Sequence, residues 1–292
     1  MASIQKEKDI ILSNGAQVSV HAEIYNSVRC LEEDCNTRPV RLNDYKLNNG
    51  DIHKDWHGVD SYEEAVQYLR DGYSPVVESL KTTLKRSDNQ EKTYRSFNNI
   101  CGYVPVVPLA LKNIPTNMVD MDRNVPKDKV IDIYYDITAN CDKEVSQFLK
   151  AGEALLSVLI ELEQAGYRFN LYAVQSYNNT SKTDLLCVKV KSSDRPLDIK
   201  RMSFALIHPS FFRVIGFTWE SQSPVTRYVG FGRGSALHHT QTKDVISKII
   251  QDTFGDNAHY ISGALLIEKG YDKEYIKEEI CRVQLKEKRR VG

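Results

Sequence analysis

The chain has 292 residues, 41% hydrophobic and 27% charged, the make-up of an ordinary globular protein with one large or two medium domains. Lysine plus arginine equals aspartate plus glutamate at 39 each, which argues against a non-specific nucleic-acid partner, because such binding draws its affinity from a basic excess. No apolar run reaches the roughly 20 residues that cross a bilayer. The start, Met1 to Asp9, is polar, so no membrane partner and a cytoplasmic setting are expected. Six cysteines over this length are too sparse for a disulfide scaffold and fit a reducing compartment.

The first 58 residues are polar, with an alternating piece from Ala16 to Tyr25 that suits a half-buried strand or hairpin, and turn signals at Asn14-Gly15 and Asn49-Gly50. Ser61-Tyr-Glu-Glu64 has the form of a capping box and opens a helix that Gly72 ends. A second short helix is expected from Val76 to Leu84. From Gly102 to Pro126, Pro105, Pro108, Pro115 and Pro126 interrupt an apolar stretch, which predicts extended chain or a packed linker. A soft boundary near 125 then divides a mixed N-terminal segment, 1–125, containing a helical hairpin and a Pro-rich linker, from an α/β domain over 126–292.

Beyond that boundary the period alternates. Val130–Asp136 is almost continuously apolar, as a strand covered on both sides needs to be. Val145, Phe148, Leu149, Gly152, Leu155, Leu156, Leu159 and Leu162 recur at three and four residues and form one helical stripe that Gly166 ends. Strands are expected over 167–177, 183–191, 214–219 and 259–267, and helices over 199–213 (with a break at Pro209), 243–254 and 271–288. A Gly-rich loop runs from Tyr228 to Thr240. This rhythm predicts an α/β fold with a largely parallel central sheet and helices on both faces.

The strongest local signal for a site is Asp136-Ile-Thr138-Ala-Asn140, at the carboxyl end of an apolar strand, where open α/β sheets hold ligands. A carboxylate, a hydroxyl and an amide oxygen at alternate positions supply part of the oxygen shell that Mg2+ prefers. The competing explanation is that Asp136 and Asn140 end the strand and cap the helix, positions both residue types favour. The strand, this D-x-T-x-N loop and the long helix resemble the first βα unit of von Willebrand factor A-like domains, which carry D-x-S-x-S there as the core of a metal-ion-dependent adhesion site. Asp136 matches the family aspartate, and Thr138 and Asn140 stand where its two serines would be. The resemblance implies a further threonine and aspartate from later loops, with Ser221, Thr226 and Asp256 available, and partners such as AAA+ ATPases. A looser resemblance, carried by Trp56-His57-Gly58, the Ser61–Ala65 cap and the Pro-rich middle, is to uncharacterised proteins of tailed bacteriophages, and implies the host-cell cytoplasm.

Two weaker patterns complete the candidates. Cys30 and Cys35 with His53 and His57 offer a four-ligand zinc set, against the ordinary role of isolated cysteines as small buried hydrophobes. Gly232, Arg233 and Gly234 offer backbone N–H groups and one charge to a phosphate, with His238 and His239 beside them as candidate bases, against a plain flexible loop. Together these predict a module that binds another protein at the carboxyl edge of the sheet, with or without Mg2+. The rivals are a metal-assisted hydrolase of phosphate esters using Asp136 and one of the two histidines, and a structural protein of the virion.

Overall fold

A computed structural model describes residues 3–12, 14–37, 52–80, 96–100, 104–121, 130–178, 181–222, 236–237 and 241–280. Its central feature is a six-stranded sheet. Strands β1 (Ile4–Ile11) and β2 (Gln17–Tyr25) form an antiparallel hairpin across the Asn14-Gly15 turn. Strand β6 (Val130–Asp136) pairs in parallel with β7 (Arg168–Asn178) on one side and β9 (Ala258–Ser262) on the other. Strand β8 (Lys182–Lys191) pairs antiparallel with β7 and parallel with β2, giving the order β1-β2-β8-β7-β6-β9.

The expected largely parallel sheet is therefore a mixed one, and the reason is chain length. Only Asn179, Thr180 and Ser181 lie between β7 and β8, whereas a parallel return needs a crossover of about a dozen residues. The boundary near residue 125 does not divide the core either. Strands from both sides of it share this sheet, and Tyr25, Leu31, Val59, Leu69 and Val76 pack in the same cluster as Ile133, Leu155 and Phe204.

Strand alternation assigns the two faces. Ile131, Ile133 and Tyr135 of β6 face the larger core, against α6 (Val145–Gln164), α7 (Ile199–Ile207) and α10 (Gly263–Glu268). Against the same core lie α1 (Val28–Thr37), α2 (Lys54–His57), α3 (Tyr62–Asp71) and α4 (Pro75–Ser79). Tyr134 of β6 faces the opposite side, where α9 (Lys243–Phe254) supplies Ile246, Ile249 and Ile250. Helices thus cover both faces, unequally.

Helix α6 follows the predicted stripe, and Gln147 Oε1 accepts from the Glu144 N–H at 2.8 Å to close its first turn. Gly152 on that helix sits where a Cβ would lie 1.7 Å from Ile207 Cγ2, so α6 and α7 approach at backbone contact. Ser61 caps α3 as predicted, its Oγ accepting from the Glu64 N–H, while the Glu64 carboxylate accepts from Asp60 rather than from Ser61 itself.

The segment expected to run as a strand over 214–219 is helical. After α7 ends at Ile207, a new helix starts at Pro209 and continues through a π-helical stretch, Phe211–Gly216, into α8 (Phe217–Gln222). Proline suits the first turn of a helix, and the break at Pro209 is a restart. Phe211, Phe212, Val214 and Ile215 are all buried, so this helix has no polar face to reveal its period.

The Pro-rich linker also has structure of its own. Strands β3 (Ser96–Asn99), β4 (Val104–Pro105) and β5 (Met118–Met121) form a small antiparallel sheet in the order β3-β5-β4, with a short helix α5 (Val107–Leu111) between the last two. Asn113, at φ 57, turns the chain after that helix.

Candidate functional site

Strand β6 delivers Asp136 to the carboxyl rim of the sheet, but its carboxylate is fully buried. It accepts hydrogen bonds from Ser176 Oγ at 2.5 Å, Tyr260 OH at 2.6 Å and the Thr138 N–H at 2.9 Å. Burial pushes the carboxyl above the usual carboxylate range, and these hydrogen bonds oppose the shift. Burial, and then the Asp136 charge, raise the Tyr260 phenol well above its ordinary value. Thr138 is equally buried: its Oγ1 accepts from the Ser176 N–H at 2.8 Å and donates to the Ser176 carbonyl at 3.4 Å. The two residues form a knot that ties β6 to β7 and β9.

Such a knot does not fit Mg2+, which needs oxygens free to turn toward one centre and usually keeps several waters. Asn140, the third expected ligand, lies apart on the surface, and its carbonyl accepts from Lys143 N at 3.2 Å. Nor does Asn140 cap α6, since Glu144 holds the N-cap position. Asp256, a candidate for completing the site, is exposed just before β9, at the opposite end of the sheet. The side chains of Ser221 and Thr226 lie outside the described residues.

The zinc set separates in the same way. Cys30 Sγ contacts Ser27 Oγ at 3.1 Å, Cys35 is a buried member of the large core, and His57 Nδ1 engages the backbone of His53. Among the described residues, no group of three or more His, Cys, Asp or Glu is placed to hold a metal ion. Gly232, Arg233, Gly234, His238 and His239 lie outside the described residues.

What fixes the loop after β6 is Arg213, which sequence reasoning passed over. It is fully buried in the π-helical stretch, its guanidinium 4.2 Å from the centroid of the Trp56 ring and 4.8 Å from that of Phe148. It donates to the carbonyls of Trp56, Lys143 at 2.7 Å and Asn140 at 3.5 Å. Trp56 Nε1 in turn donates to the Cys141 carbonyl at 2.8 Å. Burial lowers the Arg213 pKa to about 10, which leaves it charged at neutral pH. The arrangement is a clamp of main-chain acceptors and ring faces, joining α2, the loop over 140–143 and the π-helical stretch.

The small sheet contrasts with all of this. None of its residues with described side chains is buried, and none joins either hydrophobic core. Yet Ile100, Val107 and Leu111 are 68%, 58% and 80% exposed. From Ile100 to Leu111 there is no charged residue at all.

A family model described as a domain of unknown function, DUF7192, matches residues 7–289. The chain belongs to that family. No curated protein and no solved structure matches it. The DUF7192 match spans both the six-stranded sheet and the small sheet. No helix among the described residues of this DUF7192 chain is long and apolar enough to cross a membrane.

A second polar group near the rim was also unread in the sequence. His21 and Asp184 are register partners on β2 and β8, with Nδ1 and Oδ1 3.6 Å apart, and both are buried. Among the described residues, neither ring nitrogen of His21 has a hydrogen-bond partner, and neither does the amide of the buried Gln175 on β7. Gln175 packs against the π-helical stretch so closely that a Cβ on Gly216 would lie 1.5 Å from its Oε1. Glu23, one row further along β2, accepts from Trp219 Nε1 at 2.9 Å. In the sequence these residues read as the polar positions of alternating strands. Their burial depends on the second helical layer, which alternation does not report.

Proposed function

We propose that the chain is a protein-interaction and assembly module that binds its partner through the small sheet over 96–121. The observation that carries this reading is the exposure of Ile100, Val107 and Leu111 on a surface with no charge between 100 and 111. Burying such side chains against a partner gains about 25 cal/mol per Å2 of apolar surface, and Lys112 and Asp120 are the only ionic residues in the sequence from 96 to 121. The von Willebrand A-like reading of the larger sheet is part of the proposal, supported by the β6–α6–β7 order and its parallel pairing. The binding is independent of Mg2+, because the Asp136 carboxylate is spent on Ser176, Tyr260 and Thr138. A hydrolase built on Asp136 finds no support in a carboxylate so enclosed.

The test is a photo-crosslinking amino acid placed at Leu111 in one form of the protein and at exposed Lys182 in another. A discrete protein adduct is expected from position 111 and none from position 182. Equal labelling, or none at 111, contradicts the reading. Calorimetric titration with Mg2+ is expected to give no binding heat with the wild type or with Asp136→Asn.

A further inference from the structure

We infer that the partner of the small sheet is a second copy of this chain, the two joined about a two-fold axis through Ile100, Val107 and Leu111. The inference rests on the interaction reading above and names its occupant. A two-fold interface sets one patch against the same patch of the other copy, so any concentration of like charge there repels itself. Over the small sheet, 96–121, the sequence carries two ionic residues of opposite sign, Lys112 and Asp120, so no like charge accumulates there, and the run from Ile100 to Leu111 carries none. Interfaces between identical subunits are the more apolar and charge-poor kind, whereas transient contacts between different proteins carry charge that steers encounter. The whole chain adds no long-range obstacle, since its 39 basic and 39 acidic residues cancel.

The backbone offers a matching geometry. In the order β3-β5-β4, each outer strand pairs with β5 alone among the described residues. Pro105 on β4 suits an edge that takes no further strand, which leaves β3 as the edge on which antiparallel addition is possible. Strand addition at β3 and apolar contact through Val107 and Leu111, which follow β4 at the other edge, both belong to the three-stranded unit.

Sedimentation velocity on the full chain, from low to high micromolar, tests this. The wild type is expected to rise from a mass of 33.4 kDa toward twice that value. The pair Val107→Asp/Leu111→Asp is expected to weaken self-association at least about 30-fold, the ratio for losing a hot spot of about 2 kcal/mol. An equal mixture of that variant with Val107→Lys/Leu111→Lys is expected to recover the dimer, although neither variant forms it alone. Circular dichroism is expected to show that both variants fold, since Val107 and Leu111 are exposed. A wild type that stays monomeric throughout overturns the inference, as does a double-Asp variant that still dimerises. A monomeric wild type that nonetheless forms a protein adduct from position 111 sinks the second copy alone and leaves the interaction reading standing. A monomeric wild type with no adduct sinks both.

Discussion

The six-stranded sheet and the three-stranded one handle polar and apolar groups in opposite ways. At the rim of the large sheet and in the π-helical stretch packed near it, even Asp136, Thr138 and Arg213 are enclosed and given partners, and they do structural work. In the small sheet, apolar side chains stand in solvent with no core beneath them among the described residues. The rim that chemistry-bearing residues marked in the sequence is therefore where the fold is tied together. The place where it is left unfinished is a proline-rich stretch that carried no site signal in the sequence. Substitutions in the first region should act on stability, and substitutions in the second on association.

Arg213→Met should have the largest effect. It removes the donors to the part-buried carbonyls of Trp56, Lys143 and Asn140, at a cost of about 2–4 kcal/mol in a denaturant melt. Arg213→Lys should not rescue it, because an ammonium lacks the planar group that stacks between Trp56 and Phe148.

The next effect concerns acid. Burial holds the His208 pKa down at about 4, below its usual 6.5, so the folded state keeps the ring neutral while the unfolded chain takes up a proton. The stability this group contributes is complete above pH 6.5 and is lost as the pH falls from 6.5 toward 4, by roughly 3 kcal/mol. Urea melts across that window should show the loss in the wild type and a flatter profile in His208→Asn.

Gly216→Ala should cost about 1–3 kcal/mol, since its methyl meets the Gln175 amide, and Gln175→Ala in the same chain should recover much of that. Asp136 gives a split of similar size. Asp136→Ala strands the Thr138 N–H and two hydroxyls, at about 1–3 kcal/mol. Asp136→Asn should be close to neutral at pH 7, since its amide can donate to Ser176 and Tyr260 while its oxygen still accepts from Thr138. The raised carboxyl pKa gives the same sign. Ionising Asp136 in the fold costs stability as the pH rises through its folded value, and Asn escapes that cost. The smallest effect on stability, within about 0.5 kcal/mol, belongs to Val107→Asp and Leu111→Asp, which touch no core.

Much of the larger fold was legible in the sequence. The stripe of α6, the cap at Ser61, the strand ending at Asp136 and the Asn14-Gly15 turn each depend on local periodicity or turn chemistry, and each stands in the structure. The antiparallel β7–β8 pair was legible too, from the shortness of the link between them, but the strand–helix rhythm around it pointed elsewhere. The insertion of β2 beside β8 was not, because that pairing joins residues far apart in the chain and no local signal marks it. The site was the least legible part. D-x-T-x-N gives the residue types of a metal loop, but whether a carboxylate turns outward depends on partners such as Ser176 and Tyr260, contributed by other strands.

The most direct measurement is amide hydrogen exchange on the full chain at a low and a high protein concentration. Protection over 96–121 should rise with concentration, while that of β6 and β7 should stay the same. Equal protection of the small sheet at both concentrations would contradict the account, because that surface would then be covered within a single copy or not covered at all.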